Sequence, residues 1–163
     1  MRGVWHFSFT VSDLDRSVDF YVRTLGLELV HRQEQANAYT AALVGFDGAS
    51  LRIAQLRVPG QPRAASSHDL ELVEYVEPRG EPYGRGRNRP GASHLALVVD
   101  DAHAEYKRLS AEGVQFVSPP QEITAGVNQG GFTCYFVDPD EITLELVQPP
   151  MHPAQDYPDE SEA

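Results

Sequence analysis

Two histidines and two glutamates recur at matching places in two stretches of this 163-residue chain. The first stretch opens His6-Phe-Ser-Phe-Thr-Val-Ser-Asp13 and the second His94-Leu-Ala-Leu-Val-Val-Asp-Asp101. Each later reaches the same tetrapeptide, Leu70-Glu71-Leu72-Val73 and Leu144-Glu145-Leu146-Val147. Mixed imidazole and carboxylate donors suit Zn²⁺, Ni²⁺, Co²⁺, Mn²⁺ or Fe²⁺. With His6, Glu71, His94 and Glu145 on one octahedral ion, two adjacent positions remain for substrate or water. Taken singly the four residues say little, since a histidine on a strand is usually structural and a glutamate between leucines usually faces solvent. Their recurrence in a repeat is what makes one divalent-metal site the expectation. A third Leu-Glu-Leu-Val, at 27–30, has no place in the set. The tetrapeptide therefore carries weight only through its position after the hairpins.

The elements that position these residues follow from periodicity. Trp5, Phe7, Phe9 and Val11 alternate with His6, Ser8 and Thr10, the period of a strand with one apolar and one polar face. Ser12 or Asp13 caps a helix expected over 14–24, with Leu14, Val18, Tyr21, Val22 and Leu25 on its inner stripe and Gly26 as its stop. Further strands are expected at 27–31, 38–45, 50–57 and 69–76. The stretch 77–90 is rich in Pro, Gly and Arg and reads as a linker. The pattern then restarts: His94, Ala96 and Val98 on one face, a helix capped by Asp100 or Asp101 and stopped by Gly113, then strands near 114–117, 132–137 and 142–148. From His6 to Gly26 is 20 residues and from His94 to Gly113 is 19. Two βαβββ units that cannot bury an open face alone pair around a shared cleft. The expected architecture is α+β, two tandem βαβββ modules forming a half-open sheet cleft. Its bounds are residues 1–150, with module one about 4–77, a linker at 78–91, module two about 92–149 and an acidic tail at 151–163. If Leu70, Leu72, Leu144 and Leu146 face the helices, Glu71 and Glu145 point into the cleft, where a carboxylate must be neutralised, paired or metal-bound.

Composition excludes several classes. The net charge of −11 argues against nucleic acid, whose phosphates reward a basic face. No apolar run approaches the roughly 20 residues of a membrane span. The single cysteine, Cys134, allows no intrachain disulfide and reads as an apolar filler. With no leader-like segment at the start, a cytoplasmic location is expected.

The segments Val11-Ser-Asp-Leu-Asp-Arg-Ser-Val-Asp-Phe-Tyr21, Leu25-Gly26 and Asp138-Pro-Asp-Glu-Ile-Thr-Leu-Glu145 resemble the vicinal oxygen chelate superfamily, over about residues 4–149. That superfamily includes glyoxalase I, methylmalonyl-CoA epimerase, extradiol dioxygenases, fosfomycin-resistance transferases and bleomycin-binding proteins. The resemblance implies a glyoxalase-like fold, a homodimer and a small carbonyl or vicinal-oxygen substrate. It also implies that Glu145 is a ligand that doubles as a base. The His, Glu, His, Glu set matches bacterial glyoxalase I, but Thr10 and Tyr75 stand where that enzyme has the Arg and Asn that hold glutathione. The expected activity is therefore a metal-dependent lyase, isomerase or epimerase that removes a proton next to a chelated carbonyl, without glutathione. The alternatives are an extradiol-type dioxygenase, disfavoured by the extra carboxylate Glu71, and a metal-free antibiotic-binding protein, disfavoured by the retained ligands. His31, Glu34 and Tyr39 are candidates to line the cleft, with Glu34 as a second catalytic base. Arg85, Arg87 and Arg89 are candidates to grip an anion, and Gly126–Gly131 resembles a closing loop but also suits a plain hairpin.

Overall fold

The computed structural model describes residues 3–61, 69–82 and 86–150. In chain order they form β1 (His6–Thr10), α1 (Leu14–Asp19) running into a π-helical turn (Phe20–Thr24), β2 (Glu28–Gln35), α2 (Ala38–Val44), β3 (Ser50–Arg57) and β4 (Asp69–Glu77). There follow β5 (His94–Val98), α3 (Ala102–Ala111), β6 (Gln121–Glu122), β7 (Phe132–Val137) and β8 (Thr143–Gln148). The strands make two four-stranded sheets, in the orders β1-β4-β3-β2 and β5-β8-β7-β6. In each sheet the first and last strands of the repeat pair in parallel and the other neighbours pair antiparallel. This is the α+β, two-module fold that the periodicity anticipates. The acidic tail, Arg85 and most of the stretch between β3 and β4 lie outside the described residues.

The described residues divide into two compact units, those up to 92 together with 138–142, and 93–137 together with 143–150. In the first, α1 packs on β3 and β4, burying Phe9, Leu14, Val18, Tyr21, Ala54, Leu56, Leu70 and Leu72. In the second, α3 packs on β7 and β8, burying Ala102, Leu109, Cys134, Phe136, Leu144 and Leu146.

The repeat extends to individual hydrogen bonds. Asp13 caps α1 by accepting from Arg16 N at 3.1 Å, and Asp101 caps α3 by accepting from Ala104 N at 2.9 Å. The first amide of each helix is also met from the last strand of its unit. Leu14 N donates to Glu74 Oε2 at 3.1 Å and Ala102 N to Gln148 Oε1 at 2.9 Å, and these acceptors each lie three residues past a candidate ligand. A helix start that leaves four amides unpaired has most to gain from such contacts.

Three expectations need correction. Residues 38–44 form α2 rather than a strand, because Asn37 accepts from Thr40 N at 3.0 Å and starts a helix that Gly45 ends at φ 75°. Residues 114–117 supply only an isolated bridge, Phe116 with Phe136, and the edge strand of the second sheet is the two-residue β6. The helix expected over 14–24 widens at Phe20, where Leu25 N bonds to Phe20 O at 3.2 Å, five residues back.

The turn between β7 and β8 belongs to the first unit because its side chains bond to α1 and the residues around it. Tyr21 Oη donates to Asp138 Oδ2 at 3.1 Å, and Asp140 accepts from Ser12 N at 2.9 Å and from Arg16 Nη2 at 2.5 Å. Asp138 also receives the amides of Asp140 and Ile142, at 2.9 and 2.8 Å. Burial pushes its carboxyl up from 3.8 to about 6, against the lowering effect of those bonds. A folded-state value above the unfolded one means that the native chain binds the extra proton. The contribution to stability is then full below about pH 4 and is lost as pH rises through about 6. Asp138→Asn should remove this dependence, so the variant gains stability relative to the parent by on the order of 2 kcal/mol between pH 4 and pH 7. Urea unfolding of both proteins at several pH values measures it; a constant difference across that range would refute the assignment.

Candidate functional site

Parallel pairing of β1 with β4 sets His6 opposite Asp69 and Ser8 opposite Glu71. Parallel pairing of β5 with β8 sets His94 opposite Thr143 and Ala96 opposite Glu145. In both units the histidine therefore lies opposite the residue two before the glutamate, and alternation brings both side chains to one face of the sheet. Leu70, Leu72, Leu144 and Leu146 are buried on the other face. The pairs form within each unit: His6 Nε2 lies 3.6 Å from Glu71 Oε1, and His94 Nε2 lies 3.0 Å from Glu145 Oε2. The glutamate side chains are each 15% exposed and the histidines 36% and 47%, so solvent reaches the imidazoles.

The His94–Glu145 separation is that of two donors on one ion, and the His6–Glu71 separation is wider. Two donors at right angles on an ion, each about 2.1 Å from it, stand roughly 3.0 Å apart. Among the described residues no three His, Cys, Asp or Glu side chains gather closely enough to hold a metal ion. Each unit brings two of the four candidates together.

Neighbouring strands supply partners that sequence reasoning missed. Gln55 on β3 pairs with Glu71 and donates to its Oε2 at 3.3 Å. Thr133 on β7 donates from Oγ1 to Glu145 Oε1 at 2.5 Å, with Leu146 O as a second acceptor at 3.0 Å. The ring of Tyr135, which pairs with Glu145, meets the His94 ring edge-to-face at 5.3 Å. The signal was available in part. Strand alternation places Gln55 on the Glu71 face once the β3–β4 register is known, but the sequence does not supply that register.

The remaining candidates separate. His31 pairs with Gln55, in the row that contains Glu71, and its Nε2 is 3.1 Å from Gln33 Oε1. Glu34 is not brought to this face. It lies in the row Glu34, Arg52, Glu74, three positions along β3 and β4 from Gln55 and Glu71, and so points to the side covered by α1. There it is 3.7 Å from Arg52 Nε and largely exposed, which removes it as a second base beside the His6–Glu71 pair. Tyr39 projects from α2 into solvent, and Arg87 and Arg89 are exposed. Residues 126–131 form a closed hairpin turn, with Gly130 N bonded to Ile123 O at 2.8 Å and Gly131 N to Asn128 O at 3.0 Å. A Cβ on Gly131 would stand 2.3 Å from Gln148 O, so no larger residue fits there. Cys134 is buried, and burial, with Glu145 adding to it, pushes its thiol up to about 11. Thr10 is exposed, and Tyr75 packs edge-to-face on Phe46 at 6.1 Å. Among the described residues no helix is long and apolar enough to cross a membrane.

Residues 3–146 match the sequence model of a family described as the Glyoxalase/Bleomycin resistance protein/Dioxygenase superfamily. A 2-epi-5-epi-valiolone epimerase of Actinomyces sp is 33% identical over 152 residues, covering 91% of this chain and 80% of the relative. A probable lactoylglutathione lyase of Vibrio cholerae is 26% identical over 147 residues, 89% of each chain. Among solved structures, TnmS3, an antibiotic binding protein from Streptomyces sp. CB03234, is 27% identical with a TM-score of 0.57, covering 91% of this chain and 97% of its own.

Proposed function

The chain belongs to the Glyoxalase/Bleomycin resistance protein/Dioxygenase superfamily, and on that premise we propose that it is a metal-dependent isomerase, epimerase or lyase acting next to a carbonyl. The observation that carries the proposal is the recurrence of one His–Glu pair, in one register, in both units. His6, Glu71, His94 and Glu145 are the residues that would hold one divalent ion, the two units of a site being drawn from one chain or from two copies of it. When bound, such an ion supplies Lewis acidity, which lowers the cost of negative charge on a carbonyl oxygen.

The chain's own residues do the rest. Glu145 is the base. Its Oε1 is engaged by Thr133, so the proton from the carbon beside the carbonyl is taken at Oε2. Returned to the neighbouring carbon, with the hydroxyl proton passing to the former carbonyl oxygen, that proton completes an isomerisation; an epimerisation instead leaves it on Glu145 while another proton reaches the first carbon from its other side. The substrate in this reading is a small hydroxylated ketone rather than a glutathione adduct. The epimerase relative supports it, and so do Thr10 and Tyr75, which offer no cationic or amide grip for a charged tripeptide.

Elemental analysis of protein purified without nickel, beside a His6→Ala/Glu145→Ala double variant, tests the metal. Near-stoichiometric metal in the parent and its loss in the variant are expected. A parent free of metal after reconstitution with Mn²⁺, Co²⁺, Ni²⁺, Zn²⁺ and Fe²⁺ would defeat the enzyme reading and favour a ligand-binding protein. Deuterium uptake from D₂O into 2-epi-5-epi-valiolone, compared with the methylglyoxal–glutathione hemithioacetal, tests the substrate class. Faster turnover of the hemithioacetal would overturn glutathione independence.

A further inference from the structure

The two halves repeat their ligand pairs but not the groups behind them. On β7 and β8, Thr133 stands opposite Val147 and Tyr135 opposite Glu145. On β3 and β4 the same places hold Ile53 opposite Val73 and Gln55 opposite Glu71. Glu145 therefore has a hydroxyl donor where Glu71 has an aliphatic side chain that cannot donate. The contact is short, Thr133 Oγ1 to Glu145 Oε1 at 2.5 Å, in the range of a hydroxyl bonded to an ionised carboxylate. A hydroxyl has a single hydrogen to give. Here that hydrogen has a second acceptor, Leu146 O at 3.0 Å, so it keeps a partner when Glu145 moves away.

From this asymmetry we infer that Thr133 is a positioning residue, which holds Glu145 by Oε1 and so keeps Oε2 beside His94 Nε2. Glu71 lacks such a release point. Its Oε2 is met by the Gln55 amide at 3.3 Å, a donor that has no second acceptor among the described residues. The two glutamates of the repeat are thereby held differently, Glu145 by a hydroxyl and Glu71 by an amide. The inference rests on the proposed function for its catalytic meaning, but the holding contact is testable without metal.

Thr133→Val keeps the shape and removes the hydroxyl; Thr133→Ser restores it. In the metal-free chain at one fixed pH, the ring signals of His94 in a ¹H–¹⁵N or ¹H–¹³C spectrum should shift in Thr133→Val and return in Thr133→Ser. In the loaded protein, competition with a chelator should show metal held about tenfold more weakly in Thr133→Val, the scale on which groups bonded to a ligand act. kcat should fall while KM stays, and Ser should restore both affinity and kcat. Parent-like His94 signals and metal affinity in Thr133→Val would overturn the inference and leave the proposed function standing. A parent that binds no metal would overturn the proposed function, and the His94 signals alone would then decide whether Thr133 holds Glu145.

Discussion

Glu145→Gln should slow exchange of the proton beside the substrate carbonyl by about 10³-fold, within the range that a positioned general base contributes. The substitution keeps size and keeps an oxygen for Thr133 to donate to, so β7 and β8 should pair as before and the melting temperature should change little. What it removes is a basic atom at the position of Oε2, which it can replace with an amide nitrogen facing His94 Nε2. Glu71→Gln is the informative comparison. If Glu71 is a ligand and not the first base, its replacement should weaken metal binding more than it slows exchange once metal is saturating. Deuterium incorporation measured at saturating metal separates the two. Equal losses in both variants would remove the distinction between the glutamates, and an unimpaired Glu145→Gln would transfer the base to another residue.

The second large effect is on stability. Glu74 is buried, accepts from Leu14 N, and lies 3.0 Å from Arg52 Nη1 and 3.5 Å from Arg79 Nη2. Glu74→Ala leaves the first amide of α1 unpaired and strips a buried partner from Arg52. Breaking a buried ion pair from one side costs about 3 to 5 kcal/mol. The lower figure applies here because Arg52 keeps Asp15 at 2.7 Å. Gln148→Ala removes the matching cap of α3, a neutral hydrogen bond, and should cost only about 1 kcal/mol. Chemical denaturation of the two variants beside the parent measures the contrast, and equal losses would show that the charge on Glu74 adds nothing to the cap.

The sequence made the repeat legible because its signal is local and doubled. Alternation in β1 and β5, the capping aspartates and the stop glycines each occur twice, and the observed strands Ser50–Arg57 and Asp69–Glu77 fall where periodicity puts them. Helix α2 was hidden because Ala38 to Val44 is short and mixes strand formers with helix formers, so the decision passes to the Asn37 cap. The two His–Glu pairs of the candidate site were legible as residue types at repeated positions. Their supporting shell was not, because Gln55 and Thr133 meet the glutamates through cross-strand registers set by whole sheets. Glu34 shows the same limit from the other side. A single position along a strand decides which face a side chain serves, and the bulge in β2 between Leu29 and His31 obscures the count from the helix to Glu34.

The widened turn after α1 accounts for the unequal lengths of the two copies. Counted from His6 and from His94, the buried residues Tyr21 and Leu109 fall at the same offset, so the copies remain in step that far. Gly26 then comes five residues after Tyr21, whereas Gly113 comes four after Leu109. The return to the next segment shows the same excess: Leu27 N bonds to Tyr21 O at 2.9 Å, and Val114 N to Leu109 O at 3.0 Å. The one extra residue of the first copy is taken up as a bulge of the helical spiral, downstream of the strand that carries His6. A gain or loss of one residue there changes the circumference of a single turn and leaves the phase of the strand before it untouched.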